Sequence, residues 1–483
     1  MYTRPETQDI VSSRHRSERQ QQAAGRIWWH PVWLSRDLVL LFGGRGLRSL
    51  TQAYLAIIVP LYLARLGFSA EQLGIVFTAA AVASALLAAA VGFLSDRFGR
   101  KTLLIVIALL TVGGGLIFAL SGNFVLLVLA AALGTIGRGG GAGSGGAWGP
   151  YYPAEQALIA EHASDQRRTT IFGVLSFVGV ITGALGSLLA LVPALLQRNG
   201  FSLIAGYRVL FMLTALLGIA MALIVVPVRE HRQGSTIHNS ELPLAVPGRS
   251  IAGRNSIQHR TDLAPPVTLP HDPPSVRGAP RRGILGISRR SWSLIWRFMV
   301  TNTTNGLAIG ILGPFVVYWF YRRYGVDASA LGGLFFAINL AAALPYLLAG
   351  RLARRLGAVN AVVVTRAISV ILLIIMVAMP TFILAAAVYL LRMIANTLSN
   401  PVRQSYLMGV IAPAERASAA GLANLPSQAA ASVSPYITGY LMQQVALDLP
   451  LELAAAFQGL NTILYYCVFH NIHPPEEARQ TDE

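Results

Sequence analysis

Apolar residues fall along this chain in long unbroken blocks. LGIVFTAAAVASALLAAAVGFL (73–94), LFMLTALLGIAMALIVVPV (210–228) and VLLVLAAALGTI (125–136) are examples, each bounded by polar residues or glycines. A helix needs about 20 apolar residues to cross the hydrocarbon core of a bilayer, so blocks of this length predict crossings rather than core helices. Twelve are predicted: 37–64, 72–95, 102–121, 123–147, 169–193, 205–228, 292–321, 328–351, 359–379, 381–400, 416–443 and 449–471. The pattern predicts an all-α membrane protein. Three polar segments lie outside the blocks: a tail over 1–36, a stretch over 229–291 and a second tail over 472–483.

The blocks are written twice. Under a shift of 258, RLGFSAEQLGIVFTA (65–79) lies over RYGVDASALGGLFFA (323–337) and GFLSDRFGR (92–100) over GRLARRLGA (350–358). Further on the shift becomes 248: Pro153, Gln156, Arg168 and Gly173 fall on Pro401, Gln404, Arg416 and Gly421. Parallel repeats of this kind describe two six-helix bundles, 37–228 and 292–471. The segment between them is rich in Pro, Arg, Ser and His and lacks apolar periodicity, which predicts a disordered linker.

The ten residues that the first half has in excess fall in or near GRGGGAGSGGAWGP (137–150). A phosphate-binding glycine loop needs a preceding strand and a fixed GxxxxGK[ST] or GxGxxG context, and neither occurs. The run is read as the glycine-rich inner end of the fourth span, either helix packed closely on its neighbours or a frayed loop.

Composition narrows the class. The chain is 54% hydrophobic and only 12% charged, with a net charge of +17. If the N-terminus is cytoplasmic, the inner segments hold 28 of the 38 Lys+Arg and the outer loops five: Arg65, Arg198, Arg208, Arg322 and Arg323. That positive-inside bias places both termini in the cytoplasm, so the basic charge is an orientation signal and not a nucleic-acid surface. The N-terminal tail lacks the apolar core of a signal peptide. Cys467 is the sole cysteine, which excludes an internal disulfide and a cysteine-based metal cluster. No metal or cofactor is expected. The ratio of 37 Arg to one Lys suggests a GC-rich genome and with it a bacterial inner membrane.

Between the second and third spans, Gly92-Phe-Leu-Ser-Asp96-Arg97-Phe-Gly99-Arg100-Lys101 resembles the G-x-x-x-D-R-x-G-R-[RK] signature of the major facilitator superfamily. The resemblance covers residues 37 to 471. It implies two bundles flanking a central cavity that opens alternately to either side, and a conformational latch at Gly92, Asp96, Arg97, Gly99 and Arg100. Asp96 would meet the start of the eleventh helix near Arg416, where unpaired N–H groups favour negative charge. The second half carries Arg354 at the matching position, so its copy lacks that carboxylate. A fifth-helix antiporter motif is incomplete, with Ala184 where proline belongs.

Charged residues inside spans usually face the bundle interior. Arg45 and Arg48 lie roughly 12 and 16 Å into the first span and share a face with Gln52. The repeat brings Asn302 and Asn305 of the seventh span to the same depth, opposite the arginines. Arg392 and Asn396 of the tenth span and Asn424 and Gln428 of the eleventh complete the polar set, with Arg138 of the fourth as a weaker member. The resemblance implies that the first, fourth, seventh and tenth helices line the cavity. No Asp, Glu or His is expected near mid-membrane; Glu155 stands near the inner end of the fourth span and is a candidate for coupling. Arg366 reads as a rim anchor. The cavity is therefore expected to be positive and to attract an anionic or strongly hydrogen-bonding solute.

The first reading is a monomeric carrier of a small anionic or polar organic solute. A multidrug-type efflux pump of the same superfamily and a transport-null membrane receptor on the same fold stand as alternatives. No zinc-type HExxH, serine elbow or carboxylate dyad supports an enzyme.

Overall fold

The computed structural model describes residues 35–133, 136, 149–162, 168–229, 289–411 and 416–472. The tails, the central linker and most of the glycine run, including Arg138, lie outside the described residues, as do the side chains of Gly92, Asp96 and Arg97.

The first half comprises α1 (Arg36–Arg65), α2 (Ala70–Phe98), α3 (Arg100–Leu120), α4 (Phe124–Ala131), α5 (Tyr151–His162), α6 (Arg168–Leu188), α7 (Val192–Arg198) and α8 (Leu203–Val225). The second comprises α9 (Arg289–Tyr324), α10 (Ala328–Ala341), α11 (Ala343–Leu356), α12 (Ala358–Val377), α13 (Phe382–Val410), α14 (Arg416–Gln444) and α15 (Leu449–Phe469). Among the described residues, eight helices are long and apolar enough to cross a membrane alone. The remaining helices are shorter, α4 with α5 and α10 with α11, or more polar, α14 and α15, and fit four further crossings.

Local chemistry sets the helix ends. Ser35, Ser69, Asn123, Ser202 and Asp327 each accept a hydrogen bond from an amide of the first turn of α1, α2, α4, α8 and α10. Ser69 and Gln72 close a reciprocal capping box. The repeat reappears in the backbone: Gly67 and Gly325, and likewise Gly99 and Gly357, are 258 residues apart and all have positive φ, between 67° and 89°. Only glycine adopts that turn without a Cβ penalty, so these residues fix the corners between successive crossings in both halves.

The fourth crossing departs from the expectation of a helix over 123–147. α4 stops at Ala131, and eight residues span only about 12 Å. α5 packs on the same two helices, α2 and α3, as α4 does. The crossing is therefore completed by YYPAEQALIAEH (151–162), which the hydropathy pattern had left at the rim.

Packing separates the two faces of the molecule. On the face carrying Arg36, Ile472 and the Gly99 and Gly357 turns, called the terminal side, each half has its own apolar core. Leu38, Val91, Leu104, Leu158, Ile171 and Val225 form one; Ile295, Phe298, Val402, Tyr406, Ala423 and Phe469 form the other. On the opposite side a single core runs through both halves, from Tyr54–Leu63 and Leu73–Ala80 to Ile311–Phe320 and Leu331–Ile338. The halves meet there by close backbone approach. A Cβ on Gly74 would lie 2.8 Å from Pro435 O, and one on Gly439 would strike the Ala70 carbonyl. Asn339 of α10 donates to Ser187 Oγ of α6 at 3.1 Å, Phe77 stacks edge-on to Phe315 at 5.5 Å, and Arg65 covers the Tyr321 ring at 5.3 Å. Among the described residues, such an arrangement is closed on the opposite side and divided on the terminal side.

Candidate functional site

Deep within the first half, α1 presents Arg45 and Arg48 one turn apart, about 14 and 18 Å along the helix from its start. α5 brings Glu155 between them, seven residues or about 10 Å from its own terminal-side end. Arg45 Nη1 donates to Glu155 Oε2 at 2.7 Å, and Arg48 Nη2 approaches the same oxygen at 3.4 Å. All three residues are buried, at 2%, 5% and 1% exposure. Tyr151 and Tyr152, one turn before Glu155, place their rings under the guanidiniums, 5.0 Å from Arg48 and 5.7 Å from Arg45. Cation–π contact and the shared carboxylate together offset part of the cost of burying two cations. The trio still carries one positive charge more than it neutralises.

This corrects two expectations. Glu155 is not at the inner end of its crossing, and the arginines do have a countering acid. The acid stands deeper than its sequence position suggests because the helix Tyr151–His162 carries the chain fifteen residues past the expected end at 147.

In the second half the structure redistributes the polar set. Asn302 donates to the Ala423 carbonyl of α14 at 2.8 Å, tying α9 to α14. Asn305 accepts from Arg366 Nη1 at 2.6 Å, on the side of α9 facing α12. Expected to face Arg45 and Arg48, both amides instead make their bonds within the second half, where they join helices. Arg392 turns toward α15, where Nη2 reaches Gln458 Oε1 at 3.4 Å, and it lies over the Tyr389 ring at 5.7 Å. It therefore sits in a helix seam and not in a vestibule shared with Arg48. Arg366 is no rim anchor either: it is 3% exposed, and Nη1 also reaches Asn461 Oδ1 at 3.1 Å. Gln52, Asn396 and Gln428 are half-buried and Asn424 is exposed, so these four retain surface. Of the latch, Gly99 forms the turn and Arg100 is half-buried at the start of α3.

Sequence reasoning missed Tyr151, Tyr152, Gln458 and Asn461. The last two stand three apart on one face of α15 and are 3% and 2% exposed. Paired polar residues at helical spacing inside an apolar block were the available signal.

A duplicated helical bundle with eight helices long and apolar enough to cross a membrane, joined on one side and, among the described residues, split on the other, with ionic groups buried deep within it, has the architecture of a transporter. The sequence matches the family profile described as Major Facilitator Superfamily over residues 41–435 and again over 298–483. The chain belongs to that superfamily.

An uncharacterized membrane protein of Saccharomyces cerevisiae is 23% identical over 447 residues, covering 90% of this chain and 94% of the yeast protein. Among solved structures, the fold is similar to a bacterial homologue of the human lysosomal transporter Spinster in an inward-facing, unoccupied conformation. That match has a TM-score of 0.65 and 14% identity, and covers 91% of this chain and 97% of that one. It is similar also to a mutant of the nucleoside transporter NupG, with a TM-score of 0.63, 13% identity and coverage of 90% and 100%. At these identities the likeness shows the fold.

Proposed function

We propose that this protein moves a small organic solute, anionic or polar, across the plasma membrane by alternating access, as a secondary or facilitative carrier. The observation that carries the reading is the Arg45–Glu155–Arg48 trio, two guanidiniums sharing one carboxylate oxygen. Arg45 holds the acid in a short charge-assisted bond, while Arg48 stands farther off, so a solute carboxylate or phosphate can take the Arg48 guanidinium without stranding Glu155. Glu155 is then the group whose partners change with occupancy, which makes it the candidate for coupling. Gln52 on the same helix, with Asn396, Asn424 and Gln428, supplies neutral hydrogen bonds to the rest of the solute. The division of the halves on the terminal side supports entry from that face. The distribution of Arg and Lys along the sequence supports a cytoplasmic terminal side, and a single chain holds every residue the reading uses, which supports a monomer.

The test is a binding screen on the purified protein in detergent, reading thermal unfolding against matched sets of anionic and cationic metabolites. Anions should stabilise the wild type and lose at least tenfold in affinity in Arg48→Gln, the loss of one charge-assisted bond of about 1.5–3 kcal/mol. Stabilisation by cations, or equal anion affinity in the variant, sinks the reading.

A further inference from the structure

The second half repeats the helix order of the first with the charge at one buried position reversed. Under the 248-residue register, Glu155 coincides with Arg403 of α13. Where the first half places a carboxylate among guanidiniums, the second places another guanidinium. Arg366 of α12 and Arg403 are electrostatic neighbours of one another and of the Tyr465 hydroxyl of α15. Among the described residues, no Asp or Glu acts on any of the three.

The bonds of Arg366 go to two neutral amides, Asn305 and Asn461. Its Nε is buried without a partner, and so are Ser369 Oγ, one turn further along α12, and Tyr465 Oη. Ser369 is 1% and Tyr465 2% exposed. Counted from the terminal-side ends of their helices, Tyr465 lies about 6 Å in, Arg403 about 10 Å, Arg366 about 12 Å and Ser369 about 16 Å, so the group centres on Arg366, with Tyr465 on its terminal side and Ser369 deeper.

A guanidinium does not shed its proton, and a buried charge without a counter-charge is costly in protein and lipid alike. The cluster offers donors (two guanidiniums and two hydroxyls) and wants acceptors. A planar fork flanked by hydroxyls matches an oxyanion that can accept several bonds at once.

We propose that Arg366, Arg403, Ser369 and Tyr465 form an anion site for a phosphate group, set between α12, α13 and α15 and distinct from the Arg45–Arg48 site. The phosphate is either inorganic phosphate or the headgroup of an anionic lipid. Its role is to neutralise the second half's terminal-side charge and hold these three helices together.

The test uses the full chain, delipidated in neutral detergent and phosphate-free buffer, with thermal unfolding as the readout. One arm titrates inorganic phosphate against chloride at constant ionic strength. The other titrates phosphatidylglycerol against phosphatidylcholine in mixed micelles. Saturable stabilisation by inorganic phosphate identifies the free ion; stabilisation by phosphatidylglycerol alone identifies the lipid headgroup; either supports the site. Arg403→Gln should raise the half-saturating concentration about tenfold, one charge-assisted bond, and Tyr465→Phe severalfold. The phenylalanine variant keeps the ring and so keeps the test open if the arginine variant does not fold. Stabilisation by neither ligand, or equal stabilisation of wild type, Arg403→Gln and Tyr465→Phe, overturns the proposal. Protection lost in Arg48→Gln but retained in those two variants also overturns it, because the ligand would then occupy the first-half site.

Discussion

Replacing Glu155 with glutamine removes the one carboxylate that Arg45 and Arg48 share and leaves two buried guanidiniums at 2% and 5% exposure. Glutamine keeps the volume and one acceptor oxygen, so the change isolates charge. Breaking a buried pair by removing one partner costs about 3–5 kcal/mol, because the remaining ion is left uncompensated. Here two ions are left, so the upper part of that range is expected. The arginines should not respond equally. Coulomb attraction falls inversely with distance, and 2.7 Å against 3.4 Å gives Arg45 about a quarter more attraction to Glu155 than Arg48 has. Arg45→Gln should therefore destabilise more than Arg48→Gln. The double variant Arg45→Gln/Glu155→Gln, in which one cation in place of two has lost the shared carboxylate, should regain part of the loss from Glu155→Gln. The assay is equilibrium unfolding in mixed micelles of a mild detergent and dodecyl sulfate, followed by tryptophan fluorescence for the wild type and the four variants. An unchanged midpoint for Glu155→Gln, or strictly additive losses in the double variant, would refute the shared-carboxylate account.

Further outcomes follow from the same structure. Gly74→Val should fail to close the opposite side, since a Cβ there lies 2.8 Å from Pro435 O; a cysteine placed at Phe77 in a Cys467→Ser background should then label faster from that side than in the Gly74 parent. Asn339→Ala removes the bond to Ser187 and should weaken the same closure by about 1 kcal/mol, read as a smaller increase in that labelling rate. Asp96→Asn should leave expression and insertion intact and lower transport; full activity at normal expression would argue against a latch at that position. Reporter fusions at Arg36 and Ile472 should both report the cytoplasm, and a fusion after Gly122 the other side.

Most of the fold was legible because it rests on coarse features. Apolar blocks of crossing length marked the eight helices that are long and apolar enough to cross a membrane, and the 258-residue repeat has its counterpart in the matching turns at Gly67 with Gly325 and Gly99 with Gly357. The fourth crossing was not legible, because the stretch that completes it is polar for a reason hydropathy does not see. YYPAEQALIAEH carries Glu155 and two tyrosines toward buried arginines, so its low apolar content reflects its partners and not exposure to water. The depth of single polar residues was more legible than their pairing. Depth along a helix follows from counting residues, which located Arg45, Arg48 and Arg392. The neighbour a side chain meets depends on helix rotation and packing, and this sent Asn305 to Arg366 and Arg392 to Gln458.

The central claim is that the surplus positive charge of the Arg45–Glu155–Arg48 trio selects the solute. Uptake into proteoliposomes of three matched compounds, a carboxylate found in the binding screen, its primary amide and the corresponding amine, tests it most directly. The account predicts that the carboxylate enters fastest and the amine not at all, with the preference for the carboxylate abolished in Arg48→Gln. Faster entry of the amine, or an unaltered preference in the variant, would contradict it.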